Sequence, residues 1–216
     1  MRFLTTSLLF FILLNVNSQD PGRFKSDIDH ITKKYDTLWN PTTETILFTG
    51  SSSIRIWKDV QDRFPNHQII NSGFGGSHAS DLLALSDELI LKYQPNKVFI
   101  YEGDNDIASG KKPRNVVRTI EQIVHTIRTE KPETEIILIS TKPSLARWDF
   151  RHKYQRLNRK MQRLSKKNNL IEYANVWDPM LNKSKLIPDY FIEDGLHMNT
   201  KGYDVWYSVL KPFVEH

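Results

Sequence analysis

Five short apolar runs, each separated from the next by a stretch of helical periodicity, constrain what this chain can fold into. They occupy residues 45–49, 67–71, 97–101, 135–140 and 170–175. Short runs rich in isoleucine, valine and phenylalanine read as strands buried inside a sheet. Around them apolar residues recur three and four positions apart, as on one face of a helix. Residues 19–40 carry Phe24, Ile28, Ile31, Tyr35 and Leu38, and residues 81–93 carry Leu82, Leu85 and Leu89. Pro113 opens a helix with Val117, Ile120, Val124 and Ile127 on one side and His125 beside them as a structural residue. Further stripes are Phe150, Tyr154, Leu157, Met161 and Leu164, then Tyr203, Trp206, Val209 and Leu210. Strands alternating with helices predict parallel pairing and right-handed crossovers. The expected fold is a three-layer α/β sandwich: a central, mostly parallel five-stranded sheet flanked by helices.

Of the 216 residues, 19–216 are assigned to one domain, long enough to bury a core without staples. Residues 1–18 read as a secretory signal peptide. Arg2 supplies the positive start, and the apolar residues 3–14 fall short of the ~20 that span a bilayer. Val16-Asn17-Ser18 places small or modest side chains before a cut after Ser18. The expectation is a secreted or periplasmic protein with no stable membrane insertion once the signal is removed. No cysteine is present, which excludes a disulfide framework and thiolate metal sites.

The formal charge of +5 raises the question of nucleic acid, but the basic residues are not arranged with aromatics in any nucleic-acid motif. No nucleic-acid partner is expected; attraction to anionic envelope material is the milder inference. Arg151, Lys153, Arg156, Arg159, Lys160 and Arg163 share the polar side of one helix and read as a solvated face. Asn182-Lys183-Ser184 is a formal glycosylation sequon.

Chemistry-bearing residues cluster where strands end. Gly50-Ser51-Ser52-Ser53 follows the first strand, a placement that holds a serine hydroxyl at the sheet edge beside the free N–H groups of a helix start. The same serines could simply cap that helix. After the second strand comes Gly73-Phe74-Gly75-Gly76. The dinucleotide pattern G-x-G-x-x-G fails at His78 and the esterase elbow G-x-S-x-G fails at Ala79, so Ser77 is not read as a nucleophile. The loop either turns bare N–H groups towards a ligand or is a plain tight turn. The third strand feeds Gly103-Asp104-Asn105-Asp106, where open α/β sheets place ligands. Asp104 and Asp106 lack calcium-loop spacing, and no metal is expected. Near the end, Asp194 precedes His197 by three residues. Such an aspartate can hold Nδ1–H and leave Nε2 as a base, or it can cap the last helix beside an ordinary surface histidine.

Four blocks now stand in order: Gly50-Ser51-Ser52-Ser53-Ile54, Asn71-Ser72-Gly73-Phe74-Gly75-Gly76, Gly103-Asp104-Asn105-Asp106 and Asp194-Gly195-Leu196-His197. Together they resemble the SGNH, or GDSL-type, hydrolases, in particular the branch similar to platelet-activating factor acetylhydrolase and lysophospholipase-like esterases. The usual Gly-Asp-Ser-Leu reads Gly-Ser-Ser-Ser here, a departure that bears on local packing. Counting from Gly50 selects Ser52 over Ser53. The resemblance implies a serine esterase with Ser52, Asp194 and His197 as catalytic residues. It also implies an oxyanion hole from the Ser52 N–H, the Gly76 N–H and the Asn105 amide, with no cofactor or metal. The implied substrate is a small-molecule, lipid or saccharide ester: short acyl or lysophospholipid-type, or alternatively polysaccharide O-acetyl groups. A non-catalytic binding module of the same fold has no need of the oriented Asp194/His197 pair.

Overall fold

A computed structural model describes residues 21–216, so the signal-peptide reading and the expected cut after Ser18 lie outside the described residues. In chain order the helices and strands are α1 (Lys25–Leu38), β1 (Thr45–Gly50), α2 (Ser52–Arg55), α3 (Val60–Arg63), β2 (Gln68–Asn71), α4 (Ala79–Ala84), α5 (Ser86–Leu89) and β3 (Lys97–Tyr101). They continue with α6 (Asp104–Ala108), α7 (Pro113–Glu130), β4 (Glu135–Ile139), α8 (Arg151–Ser165), β5 (Ile171–Ala174), the strand pair β6 (Leu181–Asn182) and β7 (Lys185–Leu186), and α9 (Thr200–Glu215).

The main sheet has the order β2-β1-β3-β4-β5. Every pairing in it is parallel, so this sheet is wholly rather than mostly parallel. The antiparallel β6–β7 hairpin lies in a segment that carried no strand signal. Its turn, Lys183-Ser184, has φ of 46° and 68°, a geometry usually given to Asn-Gly, so sequence pattern gave no warning of it.

Alternate strand residues point to opposite layers. Leu47, Val98, Ile100, Ile136 and Leu138 enter a core covered by α1, α4, α5, α7 and α8. Phe48, Phe99, Tyr101, Ile137 and Ile139 enter the other core, covered by α2, α3 and α9. In the second core the Trp57 and Tyr203 rings stack at 5.4 Å, and the Tyr203 hydroxyl donates to the Ser53 carbonyl at 2.8 Å.

One expected helix is broken, and the helical stretch after β1 is short. The stretch after β1 becomes two single turns, because Trp57 leaves the helical register to bury itself between Phe48 and Trp206. Residues 81–93 start earlier, at Ala79, and break near Leu85. There the Ser86 hydroxyl donates to the Leu82 carbonyl at 2.8 Å, a side-chain competitor to the helical ladder. His125, read as structural, is exposed on the outer side of α7.

The strand order reverses between β1 and β3. The C-terminal ends of such neighbours leave a crevice, since their connections depart to opposite sides. Ser52 follows one of these strands and Asn105 the other.

Candidate active site

The exit from β1 has room for glycine alone. Gly50 has φ +122°, and a β-carbon there would lie 2.0 Å from the Tyr101 carbonyl oxygen. Ser51 N–H donates to that same oxygen at 3.1 Å, which ties the turn to β3. Of the three serines, Ser51 and Ser53 are buried and Ser52 is half-buried. Ser51 occupies the N-cap position but makes no side-chain capping bond. Its hydroxyl instead accepts from Asn105 Nδ2 at 2.7 Å. Helix capping therefore does not explain the serine run.

His197 reaches this turn from the other end of the chain. Its Nε2 lies 2.9 Å from Ser52 Oγ, and its Nδ1 lies 2.5 Å from Asp194 Oδ2. The other Asp194 oxygen accepts the N–H groups of Leu196 (2.8 Å) and His197 (2.9 Å). Burial pushes the Asp194 carboxyl up, but those two N–H groups and the imidazole outweigh it and bring the pKa down to about 2. The cap of α9 is Asn199, whose side chain accepts the Gly202 N–H, so Asp194 is not a helix cap. The 194–197 turn is anchored to the loop after β4: Ala146 N–H donates to the Gly195 carbonyl at 3.0 Å and Lys142 Nζ to the Leu196 carbonyl at 2.6 Å.

The glycine loop runs along the end of β1. Ser72 and Phe74 N–H groups donate to the Phe48 and Gly50 carbonyls at 2.8 and 2.9 Å, and Asn71 Nδ2 donates to the Ile54 carbonyl at 2.8 Å. Gly76 stands exposed at φ +76°. Among the described residues, neither its N–H nor that of Ser52 donates to a protein acceptor.

Asn105 is held at both ends. Arg147 Nη2 donates to its Oδ1 at 3.0 Å, so Nδ2 faces Ser51 Oγ and the Ser77 carbonyl, the latter at 2.8 Å. Arg147 also donates to Asp104 Oδ1 at 2.6 Å. The buried Asp104 carboxylate further accepts the Tyr154 hydroxyl at 2.9 Å and the Tyr101 hydroxyl at 3.0 Å, with Lys142 Nζ at 3.7 Å. Burial raises the Asp104 carboxyl, but the Lys142 and Arg147 charges prevail and hold it below the usual carboxylate range. Burial pushes the fully enclosed Lys142 ammonium down. Asp106 turns the other way, to Lys111 at 3.0 Å and the Ala79 N–H at 3.0 Å. The two aspartates thus answer to separate cations and form no shared cage. Glu102 is buried and accepts the Ser77 hydroxyl at 2.6 Å; burial and the nearby Asp106 push its carboxyl well above the ordinary value.

Ser52, His197 and Asp194 therefore meet in one chain of contacts, and Gly76 and Asn105 stand on the neighbouring loops. A hydroxyl beside a carboxylate-oriented imidazole is an arrangement that nucleophilic acyl transfer uses. Sequence reasoning missed Lys142, Arg147 and Tyr154. Lys142 follows a buried strand just as Asp104 does, and that position was the available signal. Arg147 lies in a loop with nothing local to separate it from a surface arginine.

The model of the GDSL-like lipase/acylhydrolase family matches residues 35–205. No curated protein matches the sequence. Among solved structures, the chain is similar to a Streptococcus pneumonia protein described as a candidate platelet activating factor, at 25% identity and TM-score 0.77, over 89% of this chain and 95% of that one. It is similar to a GDSL-like lipase from Bacteroides thetaiotaomicron, at 23% identity and TM-score 0.71, over 91% and 97% of the two chains. A carbohydrate esterase family 3 structure from Talaromyces cellulolyticus shares the fold at 14% identity and TM-score 0.63, over 80% and 96%.

Proposed function

Since this chain belongs to the GDSL-like lipase/acylhydrolase family of ester-hydrolysing enzymes, we propose that Ser52 is its nucleophile, His197 its general base and Asp194 the group that orients the base. The observation that carries this reading is His197 Nε2 at 2.9 Å from Ser52 Oγ while Nδ1 lies 2.5 Å from Asp194. Ser52 Oγ attacks the ester carbonyl carbon as its proton passes to Nε2. The tetrahedral intermediate collapses, the alcohol leaves with that proton, and an acyl-serine remains. Water, deprotonated by His197, then releases the acid and restores the hydroxyl.

The oxyanion is met by the N–H groups of Ser52 and Gly76 and by Asn105 Nδ2. Both Nδ2 hydrogens have protein acceptors, so Asn105 contributes by sharing the one aimed at Ser51. Removal of one such donor costs about 10²–10³-fold in turnover. A fluorophosphonate probe labels the wild-type protein and leaves Ser52→Ala unlabelled; persistent labelling of that variant removes the assignment.

The proposed substrates are short-chain acyl or lysophospholipid-type esters. Two of the three exposed large hydrophobics among the described residues, Leu145 and Ile192, flank the 194–197 turn. A β-carbon on Gly195 would lie 3.0 Å from that of Leu145, and Ile192 N–H donates to the His197 carbonyl at 2.9 Å. They offer apolar surface at the mouth of the site, where an acyl chain or apolar alcohol can rest. Falling kcat/KM from nitrophenyl acetate to longer esters fits the short-acyl reading. Preference for acetylated xylan over both instead fits a polysaccharide O-acetyl esterase. The same reading places the enzyme outside the cytoplasm, supported by Arg2 and the apolar residues 3–14; mature protein beginning at Gln19 is the expected product.

A further inference from the structure

The polar face of α8 is largely exposed, and part of it borders a groove. Arg156, Arg159, Lys160 and Arg163 converge with Lys112 and Arg114, at the start of α7, on a groove of about 540 Å³ between the two helices. Pro113 completes the lining, and no carboxylate takes part. Among the described residues none of these six cations forms an ion pair. The groove thus gathers six of the chain's 30 lysine and arginine residues with no acidic residue in its lining.

A second observation points the same way. Helix N-termini carry partial positive charge and favour anions. The 18-residue α7 has no acidic residue in its first turn and places Lys112 and Arg114 there instead. Lys112 and Arg114 stand against the α7 dipole, whereas Arg163 in the last turn of α8 does not; the mutual repulsion of the six cations opposes local stability unless an anion offsets it.

We propose that this groove binds a linear polyanion carrying several sulfate or phosphate groups, lying between α7 and α8. Arginine forks suit tetrahedral oxyanions, which they contact with two parallel N–H bonds. No aromatic residue lines the groove to stack a base, and no large apolar side chain lines it to enter a bilayer. A soluble chain such as a sulfated glycan or an oligophosphate therefore fits better than nucleic acid or membrane. The inference does not rest on the ester chemistry, since none of the six residues touches Ser52, His197 or Asp194.

The test is fluorescence polarisation with a labelled heparin hexasaccharide and, separately, with inorganic polyphosphate, at about 50 and 200 mM salt. Wild-type protein binds at least one probe, and affinity falls with salt as counterions are released. The triple variant R156Q/R159Q/R163Q weakens binding about tenfold or more and flattens the salt slope. A charge-matched control, K25Q/K33Q/K201Q on other surfaces, leaves binding unchanged, and both variants hydrolyse nitrophenyl acetate like wild type. In the wild-type protein, bound probe protects Arg114, Arg156, Arg159 and Arg163 from phenylglyoxal. Equal loss in the control, failure of wild type to bind either probe at low salt, or tighter binding to duplex DNA or phosphatidylglycerol vesicles than to both probes overturns the proposal.

Discussion

Replacing Asp194 by asparagine tests the proposed mechanism through a single proton. Asp194 Oδ1 accepts two backbone N–H groups, and asparagine's carbonyl oxygen can keep both, so the turn survives. The new amide nitrogen then takes the place of Oδ2, facing His197 Nδ1 at 2.5 Å in the wild-type geometry. That nitrogen can only donate, so Nδ1 must accept and the ring proton moves to Nε2. Nε2–H then faces Ser52 Oγ and cannot take its proton. The wrong tautomer is worth about 10⁴-fold in kcat, or about 5 kcal/mol of barrier. Asp194→Ala, which leaves the ring free to adopt either tautomer, is expected to lose less. The assay is kcat for nitrophenyl acetate, with circular dichroism to confirm the fold. Asparagine activity within about tenfold of wild type, or an alanine variant clearly worse than asparagine, refutes the tautomer argument. The Asp194 carboxyl falls from its ordinary 3.8 to about 2, so its contribution to folding is present above 3.8 and lost as pH falls towards 2.

Arg147→Gln frees the Asn105 amide to turn over and leaves Asp104 short of one cation; kcat is expected to fall about 10–100-fold with KM little changed, and Arg147→Lys restores charge but not the fork. Steady-state kinetics separate the two parameters, and unchanged kcat in both variants removes Arg147 from the positioning role. Glu102 has its folded-state pKa raised well above 4.5, so its stability contribution is full below 4.5 and is lost as pH rises towards the raised value. Glu102→Gln should therefore be flatter than wild type in urea midpoint as pH climbs from 4.5, and parallel profiles count against the buried carboxyl.

The strands were legible because burial on both faces leaves an unbroken apolar run: Lys97–Tyr101 was read to the residue. The loops after β1 and β3, where Ser52 and Asn105 stand, were equally plain, since glycine and polar residues follow directly on those runs. Helix continuity was less legible. Nothing in the local pattern says that Trp57 will swing inward to meet Trp206, because that contact joins residues distant in the chain. The same limit hid Lys142 and Arg147, whose hydrogen-bond partners Leu196, Asp104 and Asn105 lie 42 or more positions away. It also hid the role of Ser51: where the family pattern has aspartate, a hydroxyl here holds the Asn105 amide.

The stacked rings of Trp57 and Tyr203 join the first turn after β1 to the helix that follows His197. The segments that carry the Ser52 hydroxyl and the His197 imidazole thus meet a second time, through an aromatic pair in the core. Trimming or thickening that pair is expected to shift the spacing between the two groups while leaving both unaltered, a vernier set in the core rather than at the mouth.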